Sequence, residues 1–175
     1  MKIKTLGITI LTFVFLLTGC TQGKKQSIQY VHKDELIIQD EKGKDVIIPY
    51  KETMTLDITG DYVDVGTDAV VYELTDKYFK NNDEAKKLLL TNLSNGVKST
   101  YVDDNKSAID IQTSLEGENN STLKISIKVQ LNKLRDKGAV IRLFGLSQDD
   151  FDGNKVSSKT IDSYLESSGF VKNEK

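Results

Sequence analysis

From Leu123 to Leu131 the chain reads LKISIKVQL, with Leu123, Ile125, Ile127, Val129 and Leu131 in one series and Lys124, Ser126, Lys128 and Gln130 in the other. Successive strand side chains point to opposite faces, so this faultless alternation demands a sheet with one face on a core and one in water. A parallel sheet, buried on both faces, would need a continuous apolar run instead. The rest of the chain must supply antiparallel neighbours and a cover for one face.

The neighbours are readable. Leu36 to Gln39 and Val46 to Tyr50 are β-branched and apolar, and Asp40-Glu41-Lys42-Gly43-Lys44 between them supplies turn chemistry, which predicts a hairpin. Pro49, the only proline, lacks a donor and belongs at an edge or a strand end. Thr53 to Thr59 alternates, meets Gly60-Asp61 and continues as Tyr62 to Val65, so a second, tight hairpin is expected there. Ala69 to Leu74, Val97 to Val102 and Ala108 to Leu115 read as further extended segments.

The cover is helical. Asn81-Asn82-Asp83 offers caps, and Ala85, Leu88, Leu89 and Leu93 then recur on one helical face with Lys86, Lys87 and Asn92 turned outward; Asn95-Gly96 supplies a stop. Asn132 to Phe144 fits either a helix, through Leu134, Gly138, Ile141 and Phe144, or a turn and a strand; the helix is preferred. Gly145 to Asn154 reads as an acidic loop. A last helix spans Ser158 to Ser168, capped by Ser157, with Ile161, Tyr164 and Leu165 inward, Gly169 ending it and Phe170 folding back onto the core. Strands and helices do not alternate one for one, so the expected class is α+β: an antiparallel sheet of hairpins and meanders with two or three helices on one face.

The first twenty residues stand apart from this domain. Lys2 and Lys4 precede an uncharged apolar segment of twelve residues, Leu6 to Leu17, which has the length of a secretory signal and falls short of the roughly 20 residues a spanning helix needs. Small Thr18 and Gly19 then precede Cys20, the only cysteine. Leu17-Thr18-Gly19-Cys20 resembles the lipobox of bacterial lipoproteins, and the resemblance implies a diacylglycerol on the Cys20 thiol with Cys20 as the mature N-terminus. Two or more acyl chains, at about 0.8 kcal/mol per buried methylene, would hold the chain to a membrane stably. The expected organisation is a signal peptide over 1–19, a flexible tether over 20–33 with a reach of about 20 Å, and a single α+β domain over 34–175.

Removing residues 1–19 takes Lys2 and Lys4 with it and leaves 156 residues carrying 22 basic and 26 acidic side chains, a net of −4. That is one domain's worth of chain, and its balance disfavours nucleic acid as a partner. With Cys20 committed to lipid, no disulfide can form and the core must hold the fold. Lys far outnumbers Arg, present only as Arg135 and Arg142. That is the bias of an AT-rich genome and points to the outer face of a single cell membrane.

The order of lipobox, hairpin at Gly60-Asp61, helix over DEAKKLLL, strands through YVDDNKSAIDI and LKISIKVQL, GLS at 145–147 and a terminal helix closing in SSGF resembles the YehR-like family of small bacterial lipoproteins, over roughly Thr53 to Phe170. The resemblance implies a sheet with helices against one face. It assigns no activity and no functional residues.

The chemistry is sparse. His32, the only histidine, falls in the tether, far in sequence from any cluster that could form a triad, and reads as exposed. One His and no free Cys do not assemble a zinc site, and phosphate loops and the G-x-S-x-G elbow are absent. Asp149, Asp150 and Asp152 before Gly153-Asn154 suggest calcium, but an EF-hand register puts Gln148 first and Lys159 at the position requiring Glu. A solvated acidic turn accounts for them better. Asp57, Asp61, Asp64 and Asp68 are explained by alternation and turns, and Tyr62 and Tyr72 by cross-strand aromatic pairing rather than a ligand groove. The expectation is therefore no catalytic residue, no cofactor, no metal, and lipid attachment at Cys20. Tethered binding of an envelope protein or glycan is preferred, ahead of a small-solute receptor serving a transporter and of an envelope hydrolase with paired carboxylates.

Overall fold

The computed structural model describes residues 23–101, 107–135, 137–138, 141 and 146–173. The signal segment and Cys20 lie outside the described residues. A six-stranded sheet is built from β1 (Lys25–Gln39), β2 (Asp45–Thr59), β3 (Tyr62–Glu73), β4 (Ile109–Glu116), β5 (Thr122–Gln130) and β8 (Val171–Lys172) in the order β4-β5-β3-β2-β1-β8. All its pairings are antiparallel. Phe151–Asp152 (β6) and Lys155–Val156 (β7) form a separate small hairpin. Two α-helices are described along their length, α1 (Asp83–Tyr101) and α2 (Ser158–Ser167). None is long and apolar enough to cross a membrane among the described residues.

Every buried residue of the long strands lies on one face. Tyr30 of β1 stands opposite Met54 of β2, Met54 opposite Asp68 of β3, and Asp68 opposite Ile127 of β5. On that face Ile48, Leu56, Ile58, Leu123, Ile125 and Val129 form a core with Ala85 and Leu89 of α1 and Ile161 and Leu165 of α2. The other face carries half-exposed Thr53, Thr55 and Ser126 and exposed Lys128. This is the one-sided antiparallel sheet that the alternation of β5 requires.

Both predicted hairpins form. Asp40 and Gly43 close the first, Asp40 Oδ1 accepting from the backbone N–H of Lys42 and Lys44 at 2.9 Å each. Gly60, at φ +63°, closes the second. Pro49 lies within β2, opposite Glu35 of β1 and one residue before pairing with β3 begins at Tyr50. β2 therefore has a strand on one side only at Pro49, which is where a residue without a donor is tolerated. Beyond it the β1–β2 ribbon projects past β3 and presents Ile37 and Ile47 as an exposed cross-strand pair.

Several expectations are corrected. Lys25 to Lys33, read as tether, form the first half of β1 and pair residue by residue with Lys51 to Thr59. The pattern was present, since Ile28 and Tyr30 share the core face, but the intervening polar residues face water and lower the local hydropathy. Asn95-Gly96 does not stop α1, which continues to Tyr101, so Val97 to Tyr101 is helix rather than strand. The inward face of α1 is also turned: Leu88 is 58 % exposed, whereas Lys86 is 4 % exposed. Lys86 Nζ donates to the Asn119 carbonyl at 2.6 Å and pairs with Asp83 at 3.1 Å, bridging α1 to the β4–β5 connection. Of Asn132 to Phe144, Leu131–Lys133 opens the segment as a 3-10 turn and Ile141 N–H donates to the Lys137 carbonyl at 2.9 Å. Residues 136, 139–140 and 142–144 of that segment lie outside the described residues.

The terminal elements follow the sequence. Asn82 Oδ1 accepts from Ala85 N–H at 3.1 Å and caps α1; Ser157 accepts from Lys159 N–H at 3.3 Å and caps α2. Gly169 takes φ +85° after α2, and Phe170 returns its N–H to the Leu165 carbonyl at 2.9 Å.

Candidate functional site

The inward series of β2 runs Ile48, Tyr50, Glu52, Met54, Leu56, Ile58, so a single carboxylate interrupts an otherwise core-facing stripe. On β3 the corresponding series is Gly66, Asp68, Val70 and Tyr72. In this register Glu52 stands opposite Val70 and Met54 opposite Asp68, which makes Glu52 and Asp68 diagonal neighbours on one face. Their carboxyl groups share a hydrogen bond. On the opposite side Glu52 faces His32 of β1.

Asp68 is 6 % exposed. Burial, followed by the charge of Glu52 and the hydrogen bond to it, pushes the Asp68 carboxyl up to about 8. Burial also raises Glu52, against the charge of His32 and the Asp68 hydrogen bond, which favour its ionised form. Both acids therefore keep a proton to higher pH than exposed carboxyls do, Asp68 the more strongly. Asp68 Oδ1 is buried without a hydrogen-bond partner.

Aromatic rings surround the pair. Tyr50 and Tyr72 are directly opposed across β2 and β3 with centroids 5.5 Å apart. His32 lies 6.4 Å from Tyr50, edge-on, and 5.2 Å from Phe170. Burial, then the negative charges of Asp34 and Glu52, raises Tyr50; burial, then Tyr50, Glu52 and Asp68, pushes Tyr72 up to about 12. The tyrosines therefore stay neutral at neutral pH.

The cover above this cluster is interrupted. Ile48 and Met54 are buried to either side, while Tyr50 and Glu52 between them are half-exposed. On β1 Tyr30 is buried but His32 is half-exposed and Asp34 exposed; on β3 Asp68 is buried but Val70 and Tyr72 are half-exposed. Exposure on this face therefore rises at His32, Tyr50 and Glu52, between buried Met54 and buried Ile48, while Asp68 stays covered. One flank is fixed by Tyr30, whose hydroxyl donates to Asp162 of α2, while Lys172 of β8 pairs with Asp162 at 3.2 Å and stands over the Tyr30 ring at 5.6 Å.

Sequence reasoning placed two of these residues wrongly. His32 is not a tether residue; it is half-buried on β1 beside Phe170. Asp68, read as explained by alternation and turns, is a buried acid that the register turns to the core. Glu52 was missed, and the signal for it was the lone acid in the even-numbered series of β2. Tyr72 does pair across strands, with Tyr50; Tyr62 is instead capped by Lys155 at 5.1 Å. Asp150 accepts from the backbone N–H and hydroxyl of Ser147 at 2.6 and 2.9 Å, and Asp152 lies in β6. Among the described residues no three His, Cys, Asp or Glu side chains gather to hold a metal ion.

No protein-family comparison matches the chain, and no curated protein does. An NMR structure of a protein from Streptococcus pneumoniae TIGR4 aligns over 98 % of this chain and 99 % of its own, at 13 % identity and a TM-score of 0.48.

Proposed function

We propose that this protein is a lipid-anchored module of the extracytoplasmic membrane face, similar to the YehR-like lipoproteins, that binds rather than catalyses. The reading rests on Leu17-Thr18-Gly19-Cys20 behind a twelve-residue apolar segment. Cys20 carries the lipid, and the cell membrane is the address. The helix expected within Asn132 to Phe144 is supported by the helical Gly138 and Ile141 and by the Ile141 N–H bond to the Lys137 carbonyl.

The position of β1 sets the height of the domain. Four residues, Thr21 to Lys24, separate Cys20 from Lys25, a span of at most about 18 Å. The end of the sheet bearing Lys25 and the Gly60-Asp61 turn thus stands against the lipid headgroups. His32 and Glu52 lie seven strand residues further along, about 23 Å away. The long β1–β2 ribbon points outward.

Cys20→Ala tests the anchor. The variant is expected to leave the membrane fraction while keeping the far-ultraviolet circular dichroism of the wild type. Retention of the variant in washed membranes would contradict the reading.

A further inference from the structure

We propose that the anchor end of the domain docks on the anionic headgroups of the membrane that holds its lipid, through Lys24, Lys25, Lys133, Lys155 and Lys159, and that this contact sets the domain upright. The inference rests on the lipid-anchor reading above and adds the surface that meets the membrane.

Segments distant in sequence come together at this end. Gly60 N–H, in the β2–β3 turn, donates to the Lys24 carbonyl at 3.2 Å, and Lys25 pairs with Thr59. Ser158 N–H, opening α2, donates to the Asp61 carbonyl at 2.9 Å, which brings Lys159 to the same turn. Lys155 of β7 stands over the Tyr62 ring at 5.1 Å. β5 pairs Gln130 with Val65 and runs into the 3-10 turn Leu131–Lys133. Asn154, in the β6–β7 turn, donates from its side chain to the Leu134 carbonyl at 3.3 Å and ties that segment to the hairpin.

The charge of this end is opposite to that of the chain. The start of β1, the β2–β3 turn with the first residues of β3, residues 131–135, the β6–β7 hairpin and the first turn of α2 carry Lys24, Lys25, Lys133, Arg135, Lys155 and Lys159 against Asp61, Asp64 and Asp152. That is a net of +3, whereas the mature chain nets −4. The five lysines are all exposed, and none forms an ion pair among the described residues. Of the acids, Asp64 accepts from the Thr59 hydroxyl at 2.5 Å and Asp152 stands opposite Lys155 in the small hairpin. Half-buried Tyr62 adds an aromatic ring with a polar tip, a side chain that suits a membrane–water boundary.

The occupant follows from where the chain is held. Cys20 lies within about 18 Å of Lys25 at full extension. Lysines are drawn to an anionic leaflet within a Debye length, about 8 Å at physiological ionic strength. The anchor keeps these side chains at a high effective concentration of headgroups, so a surface too weak to recruit a free domain suffices to orient a tethered one.

Lysine acetylation of the lipidated protein in vesicles tests this, read residue by residue by mass spectrometry. The vesicles are phosphatidylcholine alone, or equal parts phosphatidylcholine and phosphatidylglycerol. In the anionic vesicles Lys155 and Lys159 are expected to react about threefold more slowly, and about 1 M salt, which shortens the Debye length to about 3 Å, should remove the difference. Lys42 and Lys44, in the β1–β2 turn at the opposite end of the sheet, should react equally in both. Lys155→Gln combined with Lys159→Gln, at two exposed positions, should also lessen the protection of Lys133. Equal rates at Lys155 and Lys159 in the two vesicles, or an equal fall at Lys42 and Lys44, would overturn the proposal. Flotation scores the anchor separately: protein that floats with neither vesicle contradicts the lipid reading, and protein that floats with unprotected lysines contradicts only the docking.

Discussion

The hydroxyl of Tyr30, on the first strand, donates to Asp162 on the last helix, 132 residues away in sequence. Lys172 of the closing strand completes the contact from the other side. One buried side chain thereby ties together three elements that enter the fold from opposite ends of the chain. Tyr30→Phe keeps the ring and its packing but removes the donor. The expected cost is about 1 to 2 kcal/mol, read as a lower urea midpoint with an unchanged slope.

Asp68 makes stability depend on pH in an unusual direction. An exposed aspartate loses its proton near 3.8, whereas Asp68 in the fold keeps it to about 8. Between those values the folded state binds a proton that the unfolded state has released, so stability falls as pH rises from about 4 to about 8. Glu52, also raised, adds to the same slope. Asp68→Asn, which mimics the protonated acid, should flatten the profile, match the wild type near pH 4 and exceed it by a few kcal/mol at pH 9. Urea unfolding at both pH values checks this.

The buried lysine separates two readings of α1. If the helix presents the face seen in the structure, Lys86→Ala leaves the Asn119 carbonyl without its donor and costs about 1 to 3 kcal/mol. Lys87→Ala, at an exposed position, should stay within about 0.5 kcal/mol of the wild type. Equal effects of the two substitutions on thermal stability would favour the outward-facing Lys86 that the sequence suggests.

Gly23 records how the chain enters the sheet. A Cβ there would fall 2.8 Å from the backbone of Gly60, and Gly60 N–H donates to the Lys24 carbonyl at 3.2 Å. Gly23→Val cannot be accommodated without moving the β2–β3 turn or the start of β1. Hydrogen exchange should show faster exchange at Gly60 with little change in the middle of β5.

What the sequence reveals here is the periodic part of the fold. β5, both hairpin turns and the caps of both helices follow from alternation, from Gly with positive φ and from Asn or Ser before an apolar stripe. Leu88 and Lys86 defeat the same method, because hydrophobicity ranks leucine inward while the bond from Lys86 to Asn119 depends on a loop 33 residues away. Gly96 was misread as a terminator because glycine's preference is local, and the helix around it is held by packing against β4 and β5. The site was hidden for a related reason. Glu52 and Asp68 become neighbours only once the β2–β3 register is fixed, and His32 joins them only because β1 begins at Lys25, eleven residues before the apolar stretch at Leu36. Polar residues interrupting an inward series were the available sign.

Mass spectrometry of the N-terminal peptide of the mature protein, isolated from membranes, tests the account most directly. A chain beginning at Cys20 with a diacylglyceryl group on its sulfur is the expected result. A mature chain that starts elsewhere, or that begins at an unmodified Cys20, would contradict it.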